Sequence, residues 1–213
     1  MPGTDPDALN SYGSTIEDAR ADLYSLYYIA DKKLVDLRLL SDENAYQSQY
    51  YTYILNGLMT QLVRIKPGAQ LEEAHMRNRA LIARWCYEKG KDQHVIEVYE
   101  GKDGHYIRIN DYHALRQLFA ELLAEIQRIK SEGDFPAAQR LVEDYAVQID
   151  PDLHQEILER YERLHLAPYK GFINPVLSLV RDNDGHLSDV SVDYSETYEH
   201  QMLRYSRDYA TLI

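Results

Sequence analysis

The sequence predicts a mainly α fold with two short antiparallel β-hairpins (α+β), and three observations carry that reading. Apolar residues recur at three- and four-residue steps through most of the chain. Two pairs of short alternating runs are joined by GKDG and by Asn-Asp-Gly, which are hairpin signals. Capping residues, Pro and Gly punctuate the boundaries between the periodic stretches. With 213 residues, 45% of them hydrophobic, the chain can bury a core as one domain or as one domain with an appendage.

The first helix is predicted from Thr15 to Leu40, where Ile16, Ala19, Leu23, Leu26, Ala30 and Leu34 share one face. Ser14 or Thr15 is the expected cap, with Glu17 and Asp18 near the positive end of the helix dipole. A second helix opens at SDEN and runs through Tyr46, Tyr50, Tyr53, Ile54, Leu58 and Leu62 to the KPG break. The third begins near Leu71, continues through EEAHMRNRALIARWCYEKG and stops at Gly90. HVIEVYE and HYIRIN form the first hairpin. Helical pattern resumes at Asp111 and continues through FPAAQRLVEDYAVQI and DPDLHQEILERYERL, where Asp150 or Asp152 can cap around Pro151. Beyond Ala167, FINPVLSLVRD and HLSDVSVDY pair around the Asn-Asp-Gly turn, and TYEHQMLRYSRDYA closes the chain as a helix. The natural seam is APYKG, residues 167 to 171, which divides a helical portion, 1–167, from a C-terminal segment, 168–213.

Composition narrows the function classes. A formal charge of −12, from 35 acidic against 23 basic residues, argues against duplex nucleic acid and against an anionic membrane as partners. The single cysteine, Cys86, forbids an internal disulfide and a four-thiolate metal site, and a buried inert thiol is expected. No apolar run approaches the roughly 18 residues that span a bilayer, and MPGTDPDALN lacks the marks of a secretion signal, so the chain reads as cytoplasmic. The 19 tyrosines fall largely at helix spacing, as in Tyr46, Tyr50 and Tyr53, which suits half-buried rings better than base stacking.

The chemistry-bearing stretch is EDARAD, residues 17 to 22. Asp18 and Asp22 lie one helical turn apart on one face, and Glu17 is displaced by about 100°. One carboxylate of such a pair can hold a metal while the other orients a further ligand. Spacing alone favours a solvated acidic turn with Arg20 as counter-charge.

EDARAD is similar to the E-E-x-R-A-E/D motif of the dipeptidyl peptidase III family, and EEAHMRNRALIARW resembles that family's A-H-M-x-x-R helix. The likeness extends from Tyr12 through the rest of the chain. It implies the helical upper lobe of a two-lobed zinc peptidase that removes dipeptides from peptide N-termini. The tail from residue 168 would return to the lower lobe. By register it implies Asp18 as a zinc ligand with Glu17 the alternative, since Asp is one methylene shorter than the usual Glu. Asp22 and Glu17 would accept from the ligand imidazoles. His75 and Arg79, four residues apart on one face, would stabilise the tetrahedral oxyanion, and Lys170 would engage the peptide substrate.

None of the eight histidines begins H-E-x-x-H or H-E-x-x-G-H, the motif that in the family supplies two zinc ligands and the general-base glutamate. The resemblance is therefore to the C-terminal portion of a longer peptidase: an expressed piece, a truncated product, or a subunit completed by another chain. The expectation is a chain that by itself neither retains zinc nor cleaves dipeptides, because oxygen ligands without imidazole bind zinc weakly. Its implied partners are a peptide substrate, the missing N-terminal portion and, through the apolar surface a piece of a larger fold would expose, further copies of itself. Two other classes compete with this reading. One is a non-catalytic helical interaction module. The other, a magnesium-dependent hydrolase, lacks the phosphate loop and second carboxylate cluster it would need.

Overall fold

The computed structural model describes residues 5, 7–165 and 173–209. They form two compact units, one running to Leu164 and the other from His165 onward. The first holds seven helices and one hairpin: α1 (Gly13–Ile29), α2 (Lys32–Asp36), α3 (Tyr46–Leu58), α4 (Ala74–Lys89), β1 (Ile96–Gly101), β2 (Gly104–Ile109), α5 (Tyr112–Glu132), α6 (Phe135–Val142) and α7 (Pro151–Glu162). The second holds β3 (Val176–Arg181), β4 (Leu187–Asp193) and α8 (Tyr198–Tyr209). The mainly α architecture with two antiparallel strand pairs is the predicted class. No described helix is long and apolar enough to cross a membrane.

Aspartates set four of the eight described helix starts. Asp31, Asp111, Asp134 and Asp150 each accept backbone amides from the first turn of α2, α5, α6 and α7, and Pro follows within the first turns of α6 and α7, where its missing N–H costs nothing. Gly133 ends α5 at φ +65°, a left-handed cap that favours glycine.

Three expectations are corrected. The long first helix is broken: α1 ends at Ile29, and Asp31 takes an extended conformation and caps the short α2, so its side chain competes for the amides a continuous helix would need. Ser14 and Thr15 do not cap α1, which starts at Gly13 behind the turn Asn10–Tyr12 and leaves Thr15 buried inside it. The stretch 135–147 likewise splits into α6 and a π turn at Glu143–Val147.

The core of the first unit lies among α1, α3, α4 and α5. Ile16, Ala19, Leu23 and Leu26 of α1 face Tyr50 and Ile54 of α3, Leu81, Ile82 and Cys86 of α4, and Leu115, Phe119, Leu122 and Ile126 of α5, all essentially inaccessible. Tyr50 sits at the centre, with ring centroids 4.9 Å from Tyr46 and 5.0 Å from Phe119, and its hydroxyl donates to the Leu26 carbonyl at 2.8 Å. Burial raises the Tyr50 hydroxyl and the Cys86 thiol well above their ordinary pKa values, so Cys86 is the inert thiol expected.

The β1–β2 hairpin is fastened to α7 by Glu156. Its carboxylate accepts from the His105 amide at 2.7 Å and lies 2.6 Å from His105 Nδ1, while Arg160 donates to the His105 carbonyl at 2.6 Å and covers the Tyr106 ring. Gly104, at φ +124°, leaves no room for a Cβ against that carboxylate. Burial pushes Glu156 up, but the His105 bonds outweigh it and hold it below the usual range. Arg128 holds Glu125 and Asp134 low, with help at Asp134 from the Ala137 amide, and the Tyr12 hydroxyl holds Glu143 low. A carboxylate depressed by folding contributes stability that is full above its unfolded pKa, near 4, and is lost as pH falls through the folded value. The urea midpoint of this unit should therefore fall steeply below about pH 4, and Glu156→Gln should flatten part of that fall.

Candidate functional site

Helix periodicity determines where the acidic residues of α1 point. With Ile16, Ala19, Leu23 and Leu26 committed to the core, Asp18 and Asp22 fall on the flank toward α4, and Glu17 falls about 100° away, toward α5. Glu17 is neutralised there: Arg20 donates to it at 2.5 Å and 3.3 Å, and Lys130 of α5 forms an ion pair with it.

Asp18 meets α4. Its Oδ2 lies 3.1 Å from Nδ1 of His75, the side chains being 27% and 65% exposed respectively, so the pair opens to solvent from the imidazole side.

Asp22, one turn on, is spoken for within this chain. Its Oδ2 accepts from the Tyr53 hydroxyl of α3 at 2.8 Å and from Nδ2 of Asn78 in α4 at 2.9 Å. Burial, then the Asp22 charge and bond, push the Tyr53 hydroxyl well above its ordinary pKa, while the Arg79 charge nearby opposes them. Arg79 forms no ion pair among the described residues and is half-buried. Asn78 is fully buried, and its Oδ1 has no hydrogen-bond partner among the described residues.

The helices can approach this closely because of Gly57. A Cβ there would collide with the Arg79 carbonyl and come within 2.6 Å of the Ala83 Cβ, so α3 and α4 touch backbone to backbone one turn from Tyr53 and next to Asn78. Gln61, just beyond α3, reinforces the junction by donating to the Gly57 and Met76 carbonyls, each at 3.2 Å.

The structure thus brings Asp18 and His75 together across α1 and α4, with Arg79 farther along α4. It turns Glu17 away to α5 and ties Asp22 to Tyr53 and Asn78. Lys170 and the seam at 167–171 lie outside the described residues. Tyr53 and Asn78 carried no signal as site residues in the sequence: one belongs to a tyrosine stripe that reads as packing, and the other is a lone polar residue in a helix.

As a metal site this face is incomplete on the chemistry of its donors. Asp18 offers one carboxylate to a cation and His75, 3.1 Å from it, at most one imidazole nitrogen, whereas zinc is held by three protein ligands in catalytic sites. Among the described residues, the one trio of potential ligand atoms within 4.8 Å of each other is Asp182, Asp184 and His186, all exposed in the β3–β4 turn.

A model of peptidase family M49 matches residues 4–167. The chain belongs to peptidase family M49. Its fold is similar to the structure of DPP III from Caldithrix abyssi, with a TM-score of 0.54 at 20% identity over 75% of this chain. The structure of dipeptidyl-peptidase III from Corallococcus sp. strain EGB gives a TM-score of 0.49 at 21% identity over 73% of this chain. No curated protein matches the chain. The aligned portion amounts to 27% and 26% of those two structures, so this M49 chain spans about a quarter of their length. Within the matched span lie both the α1 acidic face and the His75–Arg79 segment of α4.

Proposed function

We propose that this chain is the acidic-ligand portion of a zinc-dependent dipeptidyl peptidase that removes dipeptides from peptide N-termini, and that it is inactive without the stretch carrying H-E-x-x-G-H. The observation that supports this reading best is the 3.1 Å contact between Asp18 and His75, because a solvated acidic turn has no reason to face the one helix that resembles the family's oxyanion helix.

When bound, zinc polarises the scissile carbonyl and acidifies a water molecule. Asp18 supplies the carboxylate ligand, since Glu17 is already committed to Arg20 and Lys130. The two imidazole ligands and the general base come from outside this chain. Asp22 keeps α1 in register with α3 and α4 and so fixes where Asp18 points. His75, held beside Asp18, would offer its imidazole to substrate, and Arg79 would add a cation that forms no ion pair among the described residues. Together they favour negative charge on a peptide carbonyl oxygen.

The test separates the parts. The chain alone should bind no stoichiometric zinc and release no naphthylamine from a dipeptidyl-naphthylamide. Mixed with a polypeptide carrying H-E-x-x-G-H, it should gain both properties, and Asp18→Ala should reduce zinc affinity by at least about 10-fold to 100-fold in the mixture. Micromolar zinc binding with naphthylamide cleavage by the chain alone would overturn the assignment, as would full activity of Asp18→Ala.

A further inference from the structure

We propose that one face of the β3–β4 hairpin is a self-association surface through which two copies of this chain pair. The observations behind it come from the second unit alone, and the proposal concerns this chain as it stands, without the further polypeptide that the peptidase reading calls for.

Register sorts the hairpin into two unlike faces. Leu177 pairs with Val192 and Leu179 with Val190, so these four aliphatic side chains point the same way. Val176, Ser178 and Val180 pair with Asp193, Ser191 and Asp189 on the opposite side. The irregularity between Val180 and Arg181 leaves Leu187 opposite Arg181, which places Leu187 with the aliphatic set.

α8 does not cover that set. The recess it shares with the hairpin is lined by Val176, Asp193, Leu203 and Arg204, on the polar side. Leu177, Leu179, Leu187, Val190 and Val192 remain 63%, 61%, 56%, 40% and 54% exposed, and Tyr194, just past β4, is 68% exposed. Among its described residues this unit buries no apolar side chain at all. A two-stranded sheet without a covered face is marginal in water, and alternation this strict marks a face meant to be buried.

The occupant that fits is a second copy. At on the order of 100 Å² for each exposed aliphatic, the five supply about 500 Å² per copy, so two copies bury roughly 1,000 Å², the lower bound for a specific interface. Charge permits it as well: each chain carries −12, but the carboxylates of Asp189 and Asp193 lie on the opposite face. The single charge on the aliphatic side, Arg181, donates to the Gly185 carbonyl in its own turn. A twofold contact therefore sets leucine and valine against their own kind without opposing like charges.

Sedimentation equilibrium of the full chain across a concentration series tests this. The expected result is a monomer–dimer equilibrium, weakened at least 10-fold by Leu179→Lys and unchanged by Ser178→Lys on the other face. Both positions are exposed, so neither change should disturb the fold, and far-ultraviolet circular dichroism checks that. A chain that stays monomeric to high concentration overturns the proposal, as does association that Leu179→Lys leaves intact or that Ser178→Lys disrupts equally.

Discussion

Asp22→Ala should lower the unfolding free energy of the helical unit by about 3–5 kcal/mol, among the largest losses available to a single side chain here. The carboxylate joins three helices: it belongs to α1, takes the Tyr53 hydroxyl from α3 and takes the Asn78 amide from α4. Removing it strands the buried Asn78 amide, at about 1–3 kcal/mol for a donor left without a partner, and the half-buried Tyr53 hydroxyl at less, on top of two charge-assisted bonds. Asp22→Asn retains an acceptor oxygen and should cost about half as much, and Tyr53→Phe, which removes a donor instead of an acceptor, should cost about 1 kcal/mol. Urea unfolding followed by the fluorescence of Trp85, the only tryptophan, reads all three. A double cycle of Asp22→Asn with Tyr53→Phe should return a coupling near 1 kcal/mol. If Asp22→Ala costs less than about 0.5 kcal/mol, the carboxylate behaves as a surface group and the three-helix junction is not what holds Asp18 in place.

Most of the fold was legible because hydrophobic periodicity and capping aspartates agree with each other. Asp111, Asp134 and Asp150 each precede a periodic run, and in the structure each caps one. The break after Ile29 was not legible, because the apolar period continues through Ala30 and Leu34 and only the local competition at Asp31 interrupts it. At the site, the acidic motif and the A-H-M-x-x-R helix could be read as motifs, but the assignment of each carboxylate could not. Glu17 is one residue and Asp22 one helical turn from Asp18, and their partners include Lys130, Tyr53 and Asn78, residues 31 to 113 positions away in the chain. Sequence spacing gives direction around one helix; it is blind to what the neighbouring helices bring to that direction.

Gly57→Ala gives the second large effect, and its sign decides between two physical terms. On an isolated helix, alanine exceeds glycine by about 1 kcal/mol, because glycine loses more backbone freedom on ordering. At position 57 the added methyl has nowhere to go: it meets the Arg79 carbonyl and stands 2.6 Å from the Ala83 Cβ, and neither neighbour is the flexible end of a side chain. Backbone must move, which costs about 1–3 kcal/mol for a methyl and more for anything larger. The expected outcome is a net loss of about 1–2 kcal/mol for Gly57→Ala and failure to reach the native state for Gly57→Leu. The damage should also be directional. Forcing α3 from α4 separates Tyr53, one turn before Gly57, from Asn78, the neighbour of Arg79, so that Asp22 can no longer accept from both. Hydrogen exchange should then rise first in the α3–α4 contact, while the α1–α5 contact around Glu17 and Lys130 stays protected. Should Gly57→Ala instead stabilise the protein by the full helix-propensity gain, the close approach of these two helices is not a constraint, and the geometry that presents Asp18 to His75 must be held by something other than their contact.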